Sequence, residues 1–264
     1  MLLAIDVGNT EITLGWFDGE ALRRSFRVSS ETRRTADEVE LLLRQAFPEA
    51  AKATRRDSPG AVVGSVVPAQ TAIFLEAARR LLGNEPLLVG PGTAARVKIE
   101  YRDPGSVGAD RIANAVAAFA RYGAPAIVVD FGTATTFDVL LKGRRYAGGV
   151  IAPGILTGAE HLVRRAARLG AFELKPPARV VGKSTEESLQ SGVFYGAVGE
   201  VDSIVRRIAA EEKIRPHVVA TGGLAAAVAA HSETIQHVDA DLTLHGLRLI
   251  FEKHGRRPSK RKGR

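Results

Sequence analysis

An aspartate–glycine turn that follows an apolar run occurs twice, and it constrains the fold more than any other feature of the sequence. The first copy is Asp6-Val7-Gly8-Asn9-Thr10, and the second is Asp130-Phe131-Gly132-Thr133-Ala134-Thr135. Each copy follows an apolar run and precedes another strand-like segment. A strand, an acidic residue, a glycine turn and a returning strand form a hairpin whose backbone N–H groups can bind an anion, with the carboxylate beside them to hold a cation. Two such hairpins predict a site that grips a nucleotide triphosphate from both sides.

The two copies lie about half the chain length apart, which predicts two related domains. Both halves read as strands followed by helices, so we predict an α/β duplication with mixed β-sheets, flanking helices and an interdomain cleft. The predicted strands are 2–6, 11–17, 21–28, 61–67, 126–130, 135–141, 145–151 and 217–220. The predicted helices are 36–47, a segment opened by Pro68, 109–122, 154–168, 186–211 and 244–253. We assign 1–117 and 118–252 to the two domains, and 253–264 to a basic, disordered tail.

The net charge of +8 is concentrated at the end of the chain. Seven basic residues and no acidic residue lie in 253–264, so the rest of the chain is close to neutral. A solvated tail is therefore the favoured interpretation, and a nucleic-acid partner is not expected. The apolar stretch 218–230 is short and is interrupted by Gly222-Gly223, so no membrane association is predicted either. With no signal pattern and no cysteine, we expect a cytoplasmic protein.

The segment Gly108-Ala109-Asp110-Arg111 leads into the predicted helix 109–122 and has two interpretations. An aspartate in the first helical turn can simply stabilise the helix N-terminus. Alternatively, Asp110 is a general base for a substrate hydroxyl, and Arg111 binds an anionic substrate group with two parallel hydrogen bonds. The residues alone leave both interpretations open.

Two further glycine-containing segments invite a nucleotide-binding interpretation. Gly182-Lys183-Ser184-Thr185 looks like the end of a phosphate-binding loop, but Pro177 stands where that motif needs its first glycine, so we reject it. Ser184 with Glu187 instead predicts a capping box, which is compatible with a substrate contact at Thr185. The segment Ala220-Thr221-Gly222-Gly223-Leu224 fits either a nucleotide lying against bare backbone or a tight strand-to-helix turn.

In their order along the chain, these motifs closely resemble the type III pantothenate kinases. That family belongs to the superfamily of actin, the heat-shock ATPases and the sugar kinases. The matching segments are Asp6–Thr10, Gly108–Arg111, Asp130–Asp138, Gly148–Gly154 and Ala220–Leu224. The resemblance spans most of the chain apart from the tail. It implies duplicated ribonuclease H-like, actin-like ATPase domains and the ATP-dependent phosphorylation of pantothenate, the first step of coenzyme A biosynthesis.

The resemblance also implies roles for individual residues. Asp110 would be the catalytic base, and Asp6 would help to hold Mg²⁺ through water, while Asp130 would bind an activating monovalent cation, K⁺ or NH₄⁺. ATP would contact Asp6, Val7, Gly8, Asn9, Thr10, Glu11, Ile12, Thr13 and Thr133. Pantothenate would contact Tyr101, Gly108, Ala109, Asp110, Arg111 and Thr185. The family further implies a homodimer with the pantothenate pocket near the subunit interface.

The sequence departs from the family pattern at His245, where similar proteins commonly have glutamate. A regulatory protein on the same scaffold is the main alternative function, because some relatives act as accessory factors for transcription. A different small-molecule kinase or phosphatase of the superfamily is a third possibility. The presence of Asp6, Asp110 and Asp130 favours the pantothenate kinase over the regulatory protein. The segment Gly108–Arg111 favours it over another kinase or phosphatase.

Overall fold

In the computed structural model, the described residues are 1–52, 59–94, 96–165 and 172–255. Their contacts divide into two compact units. The first contains Met1–Ala117 and is joined by the helix that starts at Leu242, and the second contains Ala118–Asp241. None of the described helices is both long enough and apolar enough to cross a bilayer.

The first unit is built on a sheet whose strands lie in the order β3-β2-β1-β4-β5. Strand β1 is almost fully buried because it pairs antiparallel with β2 on one side and parallel with β4 on the other. Helices α1 and α3 contribute apolar side chains to the core beside this sheet. The elements are β1 (Leu2–Val7), β2 (Glu11–Asp18), β3 (Ala21–Ser29), α1 (Ala36–Ala46), α2 (Pro48–Lys52), β4 (Gly60–Ser65), α3 (Pro68–Leu82), β5 (Leu87–Leu88), β6 (Lys98–Ile99) and α4 (Ala109–Arg121).

The strands that belong to the second unit repeat this plan, in the order β9-β8-β7-β10-β11. Its central strand β7 is again buried between an antiparallel and a parallel neighbour. Helix α6 packs its apolar positions into the core of this unit. The elements are β7 (Ala126–Phe131), β8 (Ala134–Leu141), β9 (Arg145–Pro153), α5 (Ile155–Arg165), α6 (Thr185–Glu211), β10 (His217–Gly222), α7 (Ala225–Ala229) and β11 (His237–Val238), with α8 (Leu242–Gly255) closing the described chain.

The duplication extends to an irregularity in the strand pairing. In the first sheet Asp6 pairs with Thr13, and the register between β2 and β3 shifts just after Trp16, three residues further along. In the second sheet the register shifts just after Val139, again three residues beyond the partner of the equivalent residue, Asp130. A bulge bends its strand and increases the local twist. The two units therefore share the position of this irregularity as well as the order of their strands.

The predicted strands and helices are confirmed, with differences at particular residues. The predicted helix 36–47 ends at Ala46, just before Pro48, and the sequence does not predict α2, which begins at Pro48 because the fixed φ of proline suits a first helical position. The prediction for 154–168 exceeds α5, and 166–168 lie outside the described residues, as does the tail from 256 onward. The sequence places residues 242–252 in the second domain, whereas α8 packs on β1, β2 and β4 of the first unit.

Candidate active site

The loop between β1 and β2 is a tight hairpin turn held in place by a buried serine. The backbone N–H of Gly8 donates to the carbonyl oxygen of Glu11 at 3.1 Å. At the end of β3, the hydroxyl of Ser30 donates to the carbonyl oxygen of Gly8 at 2.5 Å, and its N–H donates to that of Thr10 at 2.9 Å. The amide of Gln70, on α3, donates to the carbonyl oxygen of Ser30. The turn predicted to bind phosphates is therefore anchored from two other elements.

The side chains of the predicted ATP-binding segment differ in their burial. Val7 and Ile12 are fully buried in the core of the first unit, so they can offer a ligand backbone groups but no side chain. Asn9, Thr10 and Glu11 are exposed on the turn. The most accessible side chains are therefore those at the tip of the hairpin, while Asp6 and Thr13 are half-buried.

Gly64 brings the first turn of α4 close to Asp6. It lies on β4 directly beside Asp6 in the strand pairing. A Cβ atom placed on Gly64 would be 3.6 Å from Cβ of Ala109, 3.9 Å from Oδ1 of Asp6 and 3.0 Å from Cδ2 of Leu247. Asp6 and the N-terminus of α4 thus share the space that a side chain here would begin to fill. No sequence motif indicates Gly64, because these three neighbours are far apart in the sequence.

Asp110 is half-buried: part of its surface reaches solvent, and the rest is packed among neighbouring residues. This burial raises the pKa of Asp110 above its ordinary value of 3.8, although the N–H of Arg111, which donates to its carboxylate at 2.7 Å, and the Arg111 charge both oppose the shift. A Cβ atom on Gly108 would lie 2.3 Å from the Asp110 carboxylate, so a side chain there would displace it. A carboxyl with a raised pKa in such a position is a stronger base than an exposed aspartate.

The second hairpin loop is braced from α5. The N–H of Gly132 donates to the carbonyl oxygen of Ala134 at 3.1 Å, which closes the turn. The carbonyl oxygen of Thr133 accepts from the N–H of Gly154 at 3.2 Å and from the hydroxyl of Thr157 at 2.9 Å. Thr133 itself is exposed, and its side chain is accessible to a ligand, as the prediction requires.

Asp130 lies against a glycine that no other residue could replace without movement. Gly222, at the end of β10, has φ +90°, in the region that favours glycine. A Cβ atom there would be 2.8 Å from Oδ1 of Asp130 and 2.5 Å from the carbonyl oxygen of Phe131. The bare backbone leaves a small space that these two oxygen atoms border. Gly223, in contrast, faces open space.

Thr185 is the exposed first residue of α6, and the cap beside it differs from the prediction. The hydroxyl of Ser184 accepts from the N–H of Glu187 at 3.2 Å, which is one half of the capping box. The carboxylate of Glu187 accepts from the N–H of Lys183 at 2.6 Å, one residue before the cap. The cap therefore accounts for Ser184 and Glu187, and Thr185 is accessible for another role.

The predicted site residues fall into one set in each unit. Asp6, Gly8, Tyr101, Asp110 and Arg111 belong to the first unit, and Gly64 lies beside both Asp6 and Ala109, the residue before Asp110. Asp130, Thr133 and Thr185 belong to the second unit. The sequence motifs miss Gly64 and Ser30. The signal for Ser30 is its place two residues after the predicted strand 21–28, which follows the hairpin.

Solved structures that share the fold are distant in sequence. A Baf family transcriptional activator from Campylobacter jejuni matches with a TM-score of 0.58 and 18% identity, covering 96% of this chain and 98% of that one. The activator of 2-hydroxyisocaproyl-CoA dehydratase from Clostridium difficile, with bound ADPNP, has a TM-score of 0.58 and 14% identity, with 96% of each chain covered. These likenesses confirm the duplicated α/β fold predicted from the sequence.

Sequence relatives are much closer. A family model for the type III pantothenate kinases matches residues 2–207. The type III pantothenate kinase of Moorella thermoacetica is 46% identical over 254 residues, covering 96% of this chain and 100% of the relative. The type III pantothenate kinase of Anaeromyxobacter sp. is 48% identical with the same coverage. The chain therefore belongs to the type III pantothenate kinase family.

Proposed function

We propose that the protein transfers the γ-phosphoryl group of ATP to the primary hydroxyl of pantothenate, giving 4′-phosphopantothenate and ADP, the first step of coenzyme A biosynthesis. Family membership defines the reaction. The observation that best supports it in this chain is Asp110, a carboxyl with a raised pKa that partly reaches solvent and directly follows Ala109, which lies with Asp6 beside Gly64.

In the proposed mechanism Asp110 accepts the proton of the pantothenate hydroxyl as that oxygen attacks the γ-phosphorus. The bond from the γ-phosphorus to the bridging oxygen breaks, and its electron pair leaves with ADP. Little covalent chemistry is asked of the protein, so positioning and charge stabilisation supply most of the acceleration. Arg111 binds the carboxylate of pantothenate, and Tyr101, Gly108, Ala109 and Thr185 complete the proposed substrate contacts.

ATP contacts the hairpin residues 6–13 and Thr133 in this proposal. Backbone N–H groups and hydroxyls at the tip of the hairpin bind the phosphate oxygens. Mg²⁺ neutralises phosphate charge when it is bound, and Asp6 helps to hold it through water. A single carboxylate suits this ion, because Mg²⁺ in kinase sites keeps several waters and is held by one or two carboxylates together with substrate phosphates.

Asp130 is the proposed site of K⁺ or NH₄⁺. Its carboxylate and the carbonyl oxygen of Phe131 border the space that Gly222 leaves open, and oxygen donors of these two kinds suit a hard monovalent cation. A cation bound there supplies positive charge for the phosphates. Asp130 and Phe131 contribute the two oxygen atoms. Gly222 leaves space for the cation because it has no side chain.

We also propose a homodimer that works in the cytoplasm, where ATP is available. Exposed apolar side chains at the end of β9 and on α5 support self-association. The most exposed of them are Ile151, with 62% of its surface accessible, and Leu156, with 51%.

The test of the proposed function is ADP release coupled to a spectrophotometric readout, with pantothenate, Mg²⁺–ATP and either K⁺, NH₄⁺ or Na⁺. We expect turnover that depends on pantothenate and rises with K⁺ or NH₄⁺. The absence of pantothenate-dependent turnover under all three conditions would falsify the assignment. A screen of other hydroxyl-bearing acceptors in the same assay distinguishes this kinase from one with another substrate.

A further inference from the structure

A fully buried amide lies one helical turn after the proposed base. Asn114 has no accessible surface and is four residues after Asp110 on α4. Residues four apart lie on the same side of a helix, one above the other. A buried amide needs hydrogen-bond partners, because leaving its polar atoms unsatisfied costs about 1–3 kcal/mol.

One hydrogen-bond partner of the Asn114 amide lies on the last described helix. The hydroxyl of Thr243, in the first turn of α8, donates to Oδ1 of Asn114 at 2.8 Å, although 129 residues separate them. Since the carbonyl end of the amide accepts this bond, the orientation of the Asn114 side chain is fixed. The hydrogen bond therefore connects α8 to the face of α4 that carries Asn114 and Asp110.

The shape of α8 supports the same contact. A Cβ atom on Gly246 would lie 2.0 Å from the carbonyl oxygen of Ala113, so the two helix backbones approach closely at the residue next to Asn114. One residue further, Leu247 lies 3.0 Å from the position of a Cβ on Gly64, the glycine beside both Ala109 and Asp6. Helix α8 thus contacts both α4 and β4, the strand that lies beside the first turn of α4.

We propose that Thr243 and Asn114 are positioning residues for the phosphoryl transfer: their hydrogen bond sets the rotation of α4 about its axis and so the place of the Asp110 carboxyl relative to Asp6. The proposal rests on the proposed function for its kinetic consequence. Its structural consequence, an altered surrounding of Asp110, is independent of any activity.

The deciding comparison is Thr243→Val against Thr243→Ser. Valine keeps the volume and removes the hydroxyl, whereas serine keeps the hydroxyl. We expect Thr243→Val to lower kcat by about tenfold to a hundredfold, the range that displacement of a reacting group by up to about 1 Å produces, with KM for ATP within about twofold of wild type, since ATP contacts another element. Thr243→Ser should stay within about twofold of wild type in both constants.

A second readout does not require turnover. The ¹³C resonance of the Asp110 carboxyl, assigned by its loss in Asp110→Asn, reports the pKa of that group. We expect this pKa to fall toward its ordinary value in Thr243→Val, because a loosened first turn admits water, and to stay at the wild-type value in Thr243→Ser. The control is Thr234→Val, which removes a hydrogen bond of 2.7 Å to Asp202 in the second unit and should change stability without moving the titration.

The two experiments separate the possible failures. Folded Thr243→Val protein with wild-type kcat and a wild-type Asp110 titration would overturn the positioning proposal. Equal impairment of Thr243→Ser and Thr243→Val would overturn it as well, because serine retains the hydroxyl. A moved titration in a protein that never phosphorylates pantothenate would support the positioning role and refute the proposed function instead.

Discussion

Asp110 illustrates a conflict between catalysis and stability that is confined to one side chain. Burial makes the carboxyl a better base, but the same burial disfavours its charged form in the folded state. Because the folded pKa is raised, the folded protein holds this proton more tightly than the unfolded chain does. The resulting stability is present below pH 3.8 and is lost as the pH rises through the folded pKa.

We therefore predict that Asp110→Asn is more stable than wild type at pH 7 while its kcat falls by about 10²–10⁴-fold, the usual contribution of a general base. Thermal unfolding at several pH values and the ADP-release assay measure the two effects. The stability difference should shrink toward acid and vanish below pH 3.8, where aspartate is neutral in both states. A variant that keeps the wild-type rate would remove Asp110 from the role of base.

Gly222 and Gly223 offer a matched pair at the proposed cation site. We predict that Gly222→Ala costs about 1–3 kcal/mol, the typical cost of a non-glycine residue forced into such a conformation, because φ is +90° and the new Cβ would meet the carbonyl oxygen of Phe131. The K⁺ concentration for half-maximal activity should also rise. Gly223→Ala is the control, since its Cβ meets open space. Equal K⁺ responses in both variants would argue against Asp130 as the cation site.

Among individual residues, the sequence predicts those whose role is indicated by their neighbours in the chain. It misses those whose role comes from packing in the fold. Asp6, Asp110 and Asp130 stand out because an acidic residue, a glycine and a strand end or helix start adjoin each other in the chain. Gly64 has no such surroundings, and its importance appears only when residues 6, 109 and 247 are brought around it by the fold. The same holds for Thr243 and Asn114.

Helix α8 packs on the first sheet over positions that have no side chain. A Cβ on Gly15 would lie 2.9 Å from Leu244, and one on Gly60 would lie 2.1 Å from the ring of Phe251. With Gly64 under Leu247, these glycines let one face of the helix approach the sheet closely. Close packing of this kind leaves little room for added atoms.

We predict that Gly60→Ala destabilises the protein by about 1–3 kcal/mol, the usual cost of overpacking a core. Chemical denaturation measures the change, and Gly90→Ala, whose Cβ meets nothing within 4 Å, is the control. Adding Phe251→Leu should recover part of the loss, because the clash is with that ring. Additive losses in the double variant would show that α8 is not pressed against β4 at this point.

Whole elements were predictable wherever a buried run or a helical repeat was long enough. The central strands β1 and β7, nearly continuous in apolar residues, are in this class. Two-residue strands such as β5 and β11 carry no pattern of their own, because they form only by pairing with a longer neighbour. The sequence also does not predict which sheet α8 packs on, since the pattern of an amphipathic helix does not specify the sheet that it covers.

At the scale of the molecule, the proposed homodimer can be tested through its exposed apolar residues. We predict that Leu156→Glu shifts sedimentation toward the monomer, because a charge placed in an apolar interface must lose its water. Glu160→Gln, a change at another exposed residue of α5, is the control. Wild-type protein that sediments as a monomer at micromolar concentration would contradict the proposal.

The basic end of the chain sets the overall charge without a part in the proposed chemistry. Removing residues 256–264 deletes six positive charges and lowers the net charge from +8 to +2. We predict weaker retention on a cation exchanger and an unchanged kcat, since no proposed site residue lies in this segment. A clearly lower kcat in the truncated protein would show that the segment contributes to activity.

The chain begins in the first unit, leaves it within α4 and returns to it with α8. During synthesis, residues 118–241 leave the ribosome as one continuous stretch and can complete their core at once. The first unit must wait, with the face of its sheet that α8 covers still open, until the residues after Leu242 have also emerged. Although domains usually fold in the order of their synthesis, the unit made first here is the one completed last.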